Sequence, residues 1–259
     1  MKKIVGVTLN GGNKIYHFDS NKQTLEKDDY VIVETERGFT FGQVVNPPYE
    51  VEDKDIGKAL KLVIRKADQK DIKTNEQNIK DANKALLDAR KIAESLKLNM
   101  QLIDASYTFD KSQLLFHFLA DNRVDFRELA KKLAQNYKTR IELRQIGVRD
   151  KAKMVGGLGP CGRFLCCSSF LTDFNSVSIN MAKNQLLALN PTKINGICGR
   201  LLCCLSYEDD VYTEMKKGMP SIGENYKNGE VEGKVVSLNL LKKTATIETK
   251  TKSIIEVQV

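Results

Sequence analysis

The sequence predicts an α+β protein, and three patterns carry that reading. Short apolar runs with strand-like spacing occur at both ends of the chain. Two central stretches instead repeat apolar residues every three to four positions, as helices do. The strand-like and helical runs alternate in the middle in an order that suits helices stacked on an antiparallel sheet. At 259 residues the chain can bury a core without disulfides or metals as staples. A composition of 41% apolar and 29% charged residues excludes global disorder.

Residues 1–66 read as a small β-barrel-like unit. Ile4–Leu9, Lys14–Phe18, Tyr30–Thr35 and Thr40–Val45 are its expected strands, with Gly38 as a turn and Pro47-Pro48 as the terminator. The basic, then apolar start is interrupted from residue 10 and is too short for a leader, so it reads as a first strand. No run approaches the roughly 18 apolar residues of a membrane span. We therefore expect a cytoplasmic protein with reduced cysteines.

Residues 67–150 read as an α-β-β-α-β unit. The first helix starts near Asp68, or at a capping box formed by Thr74 and Gln77. Its apolar stripe is Ile79, Ala82, Leu86, Ala89, Ile92/Ala93 and Leu96, which we read as core. Strands Met100–Tyr107 and Gln113–Leu119 follow as a hairpin. Asp125 and Glu128 cap a second helix with Phe126, Leu129, Ala130, Leu133 and Tyr137 on one face, and Thr139–Ile146 is the last strand.

Residues 151–219 form a cysteine-rich helical and loop segment. From Met154 to Tyr207 the chain carries only Arg163, Asp173, Lys183, Lys193 and Arg200 as charges, yet all the cysteines. So uncharged a stretch is either core or a surface that another protein covers. Helices are expected from Ser178 to Leu189, stopping before Pro191, and from Ser206 to Lys217. Residues 220–259 return to strands, at Val231–Leu238, Thr244–Glu248 and Ile254–Val257.

A repeated heptapeptide is the most informative feature. Cys161-Gly162-Arg163-Phe164-Leu165-Cys166-Cys167 recurs 37 residues later as Cys198-Gly199-Arg200-Leu201-Leu202-Cys203-Cys204. Small buried hydrophobes would explain one cysteine, but not a duplicated triple. Metal or cluster ligation leads, ahead of a redox disulfide and of nucleophilic catalysis, for which His17 and His117 are the only histidines. The paired knuckles of zinc sites and the ferredoxin spacings are both absent. Neighbouring cysteines in a helix point about 100° apart. Cys161 and Cys167 in a strand would stand about 20 Å apart. One copy therefore does not close a site: either both copies fold together or a partner adds ligands. One four-thiolate cluster leaves two of the 6 cysteines over, and two clusters need about eight ligands. Arg163 and Arg200 either offset thiolate charge or are ordinary surface residues. Gly162 and Gly199 serve either a close approach or a tight turn. The glycines from Gly156 to Gly159 lack the ending of a phosphate loop and read as a turn.

The charge balance, +8 with a pI near 9.0, favours an anionic partner. Basic residues concentrate at Lys131, Lys132, Lys138, Arg140, Arg144, Arg149, Lys151 and Lys153, opposed by Glu142 and Asp150. They could contact RNA phosphates or form a solvated surface, and little aromatic interleaving accompanies them.

Several blocks resemble one family. They are Tyr107-Thr108-Phe109-Asp110, the run Val124–Leu129, the run Arg140–Asp150, Gly156–Arg163 and Leu189–Arg200. Together they are similar to the bacterial RicT (YaaT) family, whose shared region is named for a yeast polymerase suppressor. This chain departs at Phe164, where the family often has proline, and at Lys111, where it often has a turn glycine. The resemblance implies a non-enzymatic regulatory subunit that joins two small helical proteins, RicA (YmcA) and RicF (YlbF). The implied complex holds iron–sulfur clusters, [4Fe-4S] in type, and directs RNase Y in messenger RNA maturation. It also influences the sporulation phosphorelay, competence and biofilm formation. By motif, Cys161, Cys166, Cys167, Cys198, Cys203 and Cys204 are the implied ligands. The alternatives are a zinc-stabilised RNA-binding module acting alone and a thiol redox enzyme.

Overall fold

The computed structural model describes residues 2–12, 14–36, 38–51, 60–228 and 231–259. Part of the expected N-terminal β unit, residues 52–59, lies outside them. The chain divides into two compact units. One is Met1–Val155 with Ser168–Thr172, and the other is Gly156–Cys167 with Asp173–Val259.

The first unit begins with strands β1 (Lys2–Leu9), β2 (Ile15–Asp19), β3 (Tyr30–Thr35), β4 (Gly38–Val51) and β5 (Val63–Lys66). They form one antiparallel sheet in the order β2-β1-β4-β3-β5. Val5, Val7, Val31, Val33, Val44 and Val63 are fully buried on one side with Phe18 and Leu25. β-Branched residues suit such a pleated, packed surface. The expected barrel does not close. The sheet curls until its outer ends touch at a single bridge, Asp19 to Leu62. Pro47-Pro48 does not end the unit either, because β4 runs through both prolines. Ile4 pairs with Tyr49 and Gly6 with Asn46, so the two prolines stand opposite Val5 alone. A bulge is where a strand tolerates residues that cannot donate a ladder hydrogen bond.

Helix α1 (Gln69–Ser95) starts at Asp68, and the Thr74 alternative is wrong. Asp68 and Asp71 cap each other through backbone bonds of 2.8 and 2.9 Å. Arg65 on β5 grips Asp71 with both terminal nitrogens and holds its carboxyl down at about 2. Thr74 instead donates to the Lys70 carbonyl inside the helix. The buried stripe also differs from the expected one. Ile79 is 54% exposed, while Asn78 turns inward and donates from Nδ2 to the Phe109 carbonyl at 3.0 Å.

β6 (Gln101–Tyr107), β7 (Gln113–Leu119) and β8 (Arg140–Gln145) make a three-stranded sheet, with α2 (Arg127–Tyr137) between the last two. Leu102 and Ala105 on β6, with Leu114, Phe116 and Phe118 on β7, point to one face. There they pack on Ala82, Ala85 and Ala89 of α1 and on Leu129 and Leu133 of α2. Burying each larger side chain contributes about 1.5–3 kcal/mol. The sheet is mixed, not antiparallel as expected: β8 runs parallel to β7. A parallel neighbour needs a crossover, and α2 is that crossover. The expected Asp125–Glu128 cap does not form. Phe126 is the N-cap, and Asp125 accepts from the Arg127 amide and guanidinium. A short helix absent from the sequence reading, α3 (Val148–Val155), ends the unit's main stretch.

In the second unit, α4 (Ile179–Asn184) is shorter than expected. Pro191 does not follow a helix but starts one, α5 (Pro191–Ile194), capped by Asn190. Proline suits a first helical position, whose amide has no partner in any case. Helix α6 (Cys203–Met215) begins three residues earlier than expected, so its first turn holds cysteines and its acidic residues lie further in. β9 (Asn225–Asn228), β10 (Val231–Asn239), β11 (Thr244–Thr249) and β12 (Ile254–Gln258) form an antiparallel sheet over Val235, Ala245 and Ile247. β5 and β9 are the strands that sequence patterning missed; both are four residues long. Among the described residues no helix is long and apolar enough to cross a membrane.

Candidate metal centre

Both cysteine heptapeptides lie in the second unit, and their first five residues follow the same backbone pattern. In the first, the Gly159 amide donates to the Arg163 carbonyl at 2.8 Å and the Gly162 amide to the Gly159 carbonyl at 3.0 Å. In the second, Gly196 donates to Arg200 at 2.8 Å and Gly199 to Gly196 at 2.9 Å. Leu165 closes onto Gly157 at 3.1 Å, and Leu202 onto Ile194 at 2.9 Å. Leu158 bridges Phe164, and Asn195 bridges Leu201. Every partner is shifted by the 37 residues that separate the sequence copies. The structural repeat therefore extends a few residues upstream of the cysteines, to Gly157 and Ile194.

Gly162 and Gly199 have φ of 76° and 75°. Residues with side chains pay a steric cost in that region. A Cβ at either glycine would meet open space, so the tight turn, not a close approach, explains them. The contact lies one step earlier. A Cβ on Gly159 would touch Cys161 Sγ at 3.5 Å, and one on Gly196 would touch Cys198 Sγ at 3.7 Å. Each leading thiol thus folds back over the glycine that opens its loop.

The second pair of thiols in each copy is presented differently. Cys203 and Cys204 form the first turn of α6, whereas Cys166 and Cys167 lie in a turn. Cys161 is exposed, Cys167 is buried, and the other four are half-buried. The Cys204 thiol is pushed up to about 11, first by burial and then by negative charge on Glu208, Cys166 and Cys161. Glu208 lies one turn along the same helix. Cys166 and Cys161 belong to the other copy. The two copies lie in one compact unit, and Cys204 feels the charge of thiols from the other copy. That neighbourhood disfavours the Cys204 thiolate, and a bound metal inverts such a preference. The soft donors suit a thiolate-held metal or cluster. Among the described residues, however, no three His, Cys, Asp or Glu side chains converge closely enough to hold a single ion.

Arg163 and Arg200 contribute the carbonyls that close the loops, while the residues themselves are exposed. Leu158, Phe164 and Ile197 also stay exposed, at 58%, 73% and 57%. The uncharged segment is therefore not simply core. Gly156 and Gly157 occupy positive φ, while the turn itself begins at Pro160.

The sequence-predicted basic residues do not form one patch. Lys131 and Lys132 are exposed on α2, and Lys138 is its left-handed C-cap. Arg140 and Arg144 lie on β8, and Arg149 is half-buried on α3. Arg144 and, further along, Lys153 reach a large groove in the first unit. The groove's aromatic side chains come from residues near 16, 49 and 107, which are scattered in sequence and gave no local signal.

The chain matches the PSP1 C-terminal conserved region over residues 61–146 and the third domain of PSP1-like proteins over residues 176–219. The second match contains the second cysteine copy. Over 248 residues the chain is 51% identical to Stage 0 sporulation protein YaaT of Bacillus subtilis (strain 168), covering 96% of this chain and 90% of that one. It is 31% identical over 134 residues to Protein PSP1 of Saccharomyces cerevisiae, covering 48% of this chain and 16% of that protein. No solved structure matches it.

Proposed function

The chain belongs to the PSP1 family that includes YaaT, and we propose that it is a non-enzymatic regulatory subunit whose cysteine loops hold an iron–sulfur cluster together with partner proteins. The observation that carries this reading is that two matching loops lie in one compact unit, with Cys161 and Cys166 of one copy near enough to Cys204 of the other to act on its charge. The candidate holders are those three thiols with Cys167, Cys198 and Cys203. When bound, a cluster supplies positive charge that keeps thiolates ionised, and its [4Fe-4S] form accepts four of them. The chain's own residues position the donors: Gly162 and Gly199 set the turns, and α6 presents Cys203 and Cys204 from its first turn.

Partners of the RicA and RicF kind supply the missing coordination in this reading. Leu158, Phe164 and Ile197, exposed around thiols in a nearly uncharged segment, suit an interface centre that a partner covers. The assembly would act on messenger RNA maturation through RNase Y, and through that on sporulation, competence and biofilm formation. The 51% identity to a protein named for sporulation supports this regulatory role.

The test is iron and sulfide content after anaerobic co-purification with the two small helical partners. Cys198→Ser should lower bound iron while leaving the fold intact, because backbone hydrogen bonds close the loop. Equal iron in mutant and parent would remove the assignment. Zinc in place of iron would favour the zinc-stabilised module instead.

A further inference from the structure

We propose that the groove in the first unit binds single-stranded nucleic acid. The inference does not depend on the cysteine loops, which lie in the other unit. The groove has a volume of about 1190 Å³. That exceeds the roughly 300–1,000 Å³ of a usual small-molecule pocket and suits an extended polymer.

Its lining combines the two chemistries that such a polymer needs. Tyr16 on β2 and Tyr49 on β4 are each 42% exposed, so both rings are available to a ligand. Lys14 holds its ammonium 5.6 Å from the Tyr16 ring centroid, which places a cation beside a π face. The Tyr49 hydroxyl lies 3.4 Å from His17 Nδ1, which ties down the hydroxyl end and leaves the ring face. Lys14, Lys61, Arg144 and Lys153 line the groove, and none has a carboxylate partner among the described residues. The opposing lining carboxylates are Glu34 and Glu36, so four cations less two anions leaves +2.

The fold explains how these residues meet. β8 is an alternating strand whose Leu143 faces the helices, so Arg144 points to the opposite face of the sheet. Ser106 and Leu115, paired across β6 and β7, share that face and line the groove. The N-terminal sheet supplies the tyrosines from its two faces at the β2 edge: Tyr16 pairs with Val7 on the valine face, and Tyr49 pairs with Ile4 on the other. Bases stack on aromatic rings while cations track the phosphates. An acidic peptide would use the cations but not the rings.

The experiment is fluorescence anisotropy of a labelled oligouridine strand with the full chain. Tyr16→Ala and Tyr49→Ala should each weaken binding roughly tenfold, whereas Tyr49→Phe should not. Replacing Arg144 and Lys153 with Ser should shallow the log–log salt slope by about 0.7 per phosphate contact removed. Replacing Lys131, Lys132 and Lys138 with Ser should leave affinity within about twofold, since these lie on α2 outside the groove. Circular dichroism checks each variant's fold. If a tyrosine variant unfolds, photocrosslinking of the strand to the unsubstituted chain decides, and should label peptides holding Tyr16 or Tyr49. The proposal is overturned if the α2 triple loses as much affinity as the groove variants, or if crosslinks fall only on α2. It is equally overturned if duplex RNA or polyglutamate binds as tightly as the single strand.

Discussion

The two cysteine loops share a turn but are followed by different residues. From Gly159 to Leu165 and from Gly196 to Leu202 the backbone bonds and bridges match, and so does the φ of Gly162 and Gly199. The agreement stops at the paired cysteines, which lie in a turn in one copy and in the first turn of α6 in the other. Leu205 follows the second copy, fully buried against Ala182 and Ile194. At the matching place in the first copy stands Ser168, where the chain passes to the other unit until Thr172. The second copy is also tied by Gln185, which donates to the Leu205 carbonyl at 2.7 Å, and by Asn184, which reaches Asp209 and Thr213. A ligand loop's shape is thus local, set by one glycine and three backbone bonds, whereas the residue that follows it, Leu205 in one copy and Ser168 in the other, is not repeated.

The sharpest way to break this comparison is to truncate the residue that follows each copy. Leu205→Ala should cost about 2–5 kcal/mol in denaturant unfolding, the range for a fully buried leucine. Ser168→Ala should cost about 1 kcal/mol or less. Equal losses would mean that the two copies are anchored alike. Gly162→Ala and Gly199→Ala probe what the loops share. Each should cost roughly 1–2 kcal/mol, because both glycines sit in the left-handed region. The two costs should agree within about 0.5 kcal/mol; a larger gap in the measured unfolding free energies would show that one turn is not the equivalent of the other.

Much of this was legible from the sequence because it rests on local chemistry. The strands Tyr30–Thr35 and Gln113–Leu119 follow from β-branched and apolar runs between turn residues, and their bounds match. The repeat itself is plain. What escaped depends on distant partners. Nothing near Arg140 shows that β8 will run parallel to β7, since direction is set by where α2 packs. Pro47-Pro48 reads as an ending until Val5 is placed opposite. Asn78 replaces Ile79 in the interior because the Phe109 carbonyl needs a donor 31 residues away. At the candidate site, six cysteines could be named but not grouped. The meeting of Cys204 with Cys161 and Cys166 exists only after both copies fold.

A smaller effect tests that meeting through pH. The Cys204 thiol is raised from about 9 to about 11, so the folded state holds its proton more tightly than the unfolded state. Its contribution is fully present below about 9 and is lost as pH rises toward about 11. Cys204→Ser should flatten this part of the stability–pH curve in thermal unfolding of the metal-free chain. An unchanged slope would assign the loss to other groups. The smallest effect is Gln185→Ala, expected to cost about 1 kcal/mol by removing one hydrogen bond to the Leu205 carbonyl, read by faster amide exchange in α6.

The claim that the two copies form one thiol site is tested most directly by chemical bridging. Dibromobimane joins two nearby thiols and becomes fluorescent when it does, and peptide mass spectrometry identifies the pair. Treating the metal-free full chain should yield a peptide pair that links Cys204 to Cys161 or Cys166, across the copies. If every bridge instead lies within one copy, the loops are two separate sites and the account is contradicted.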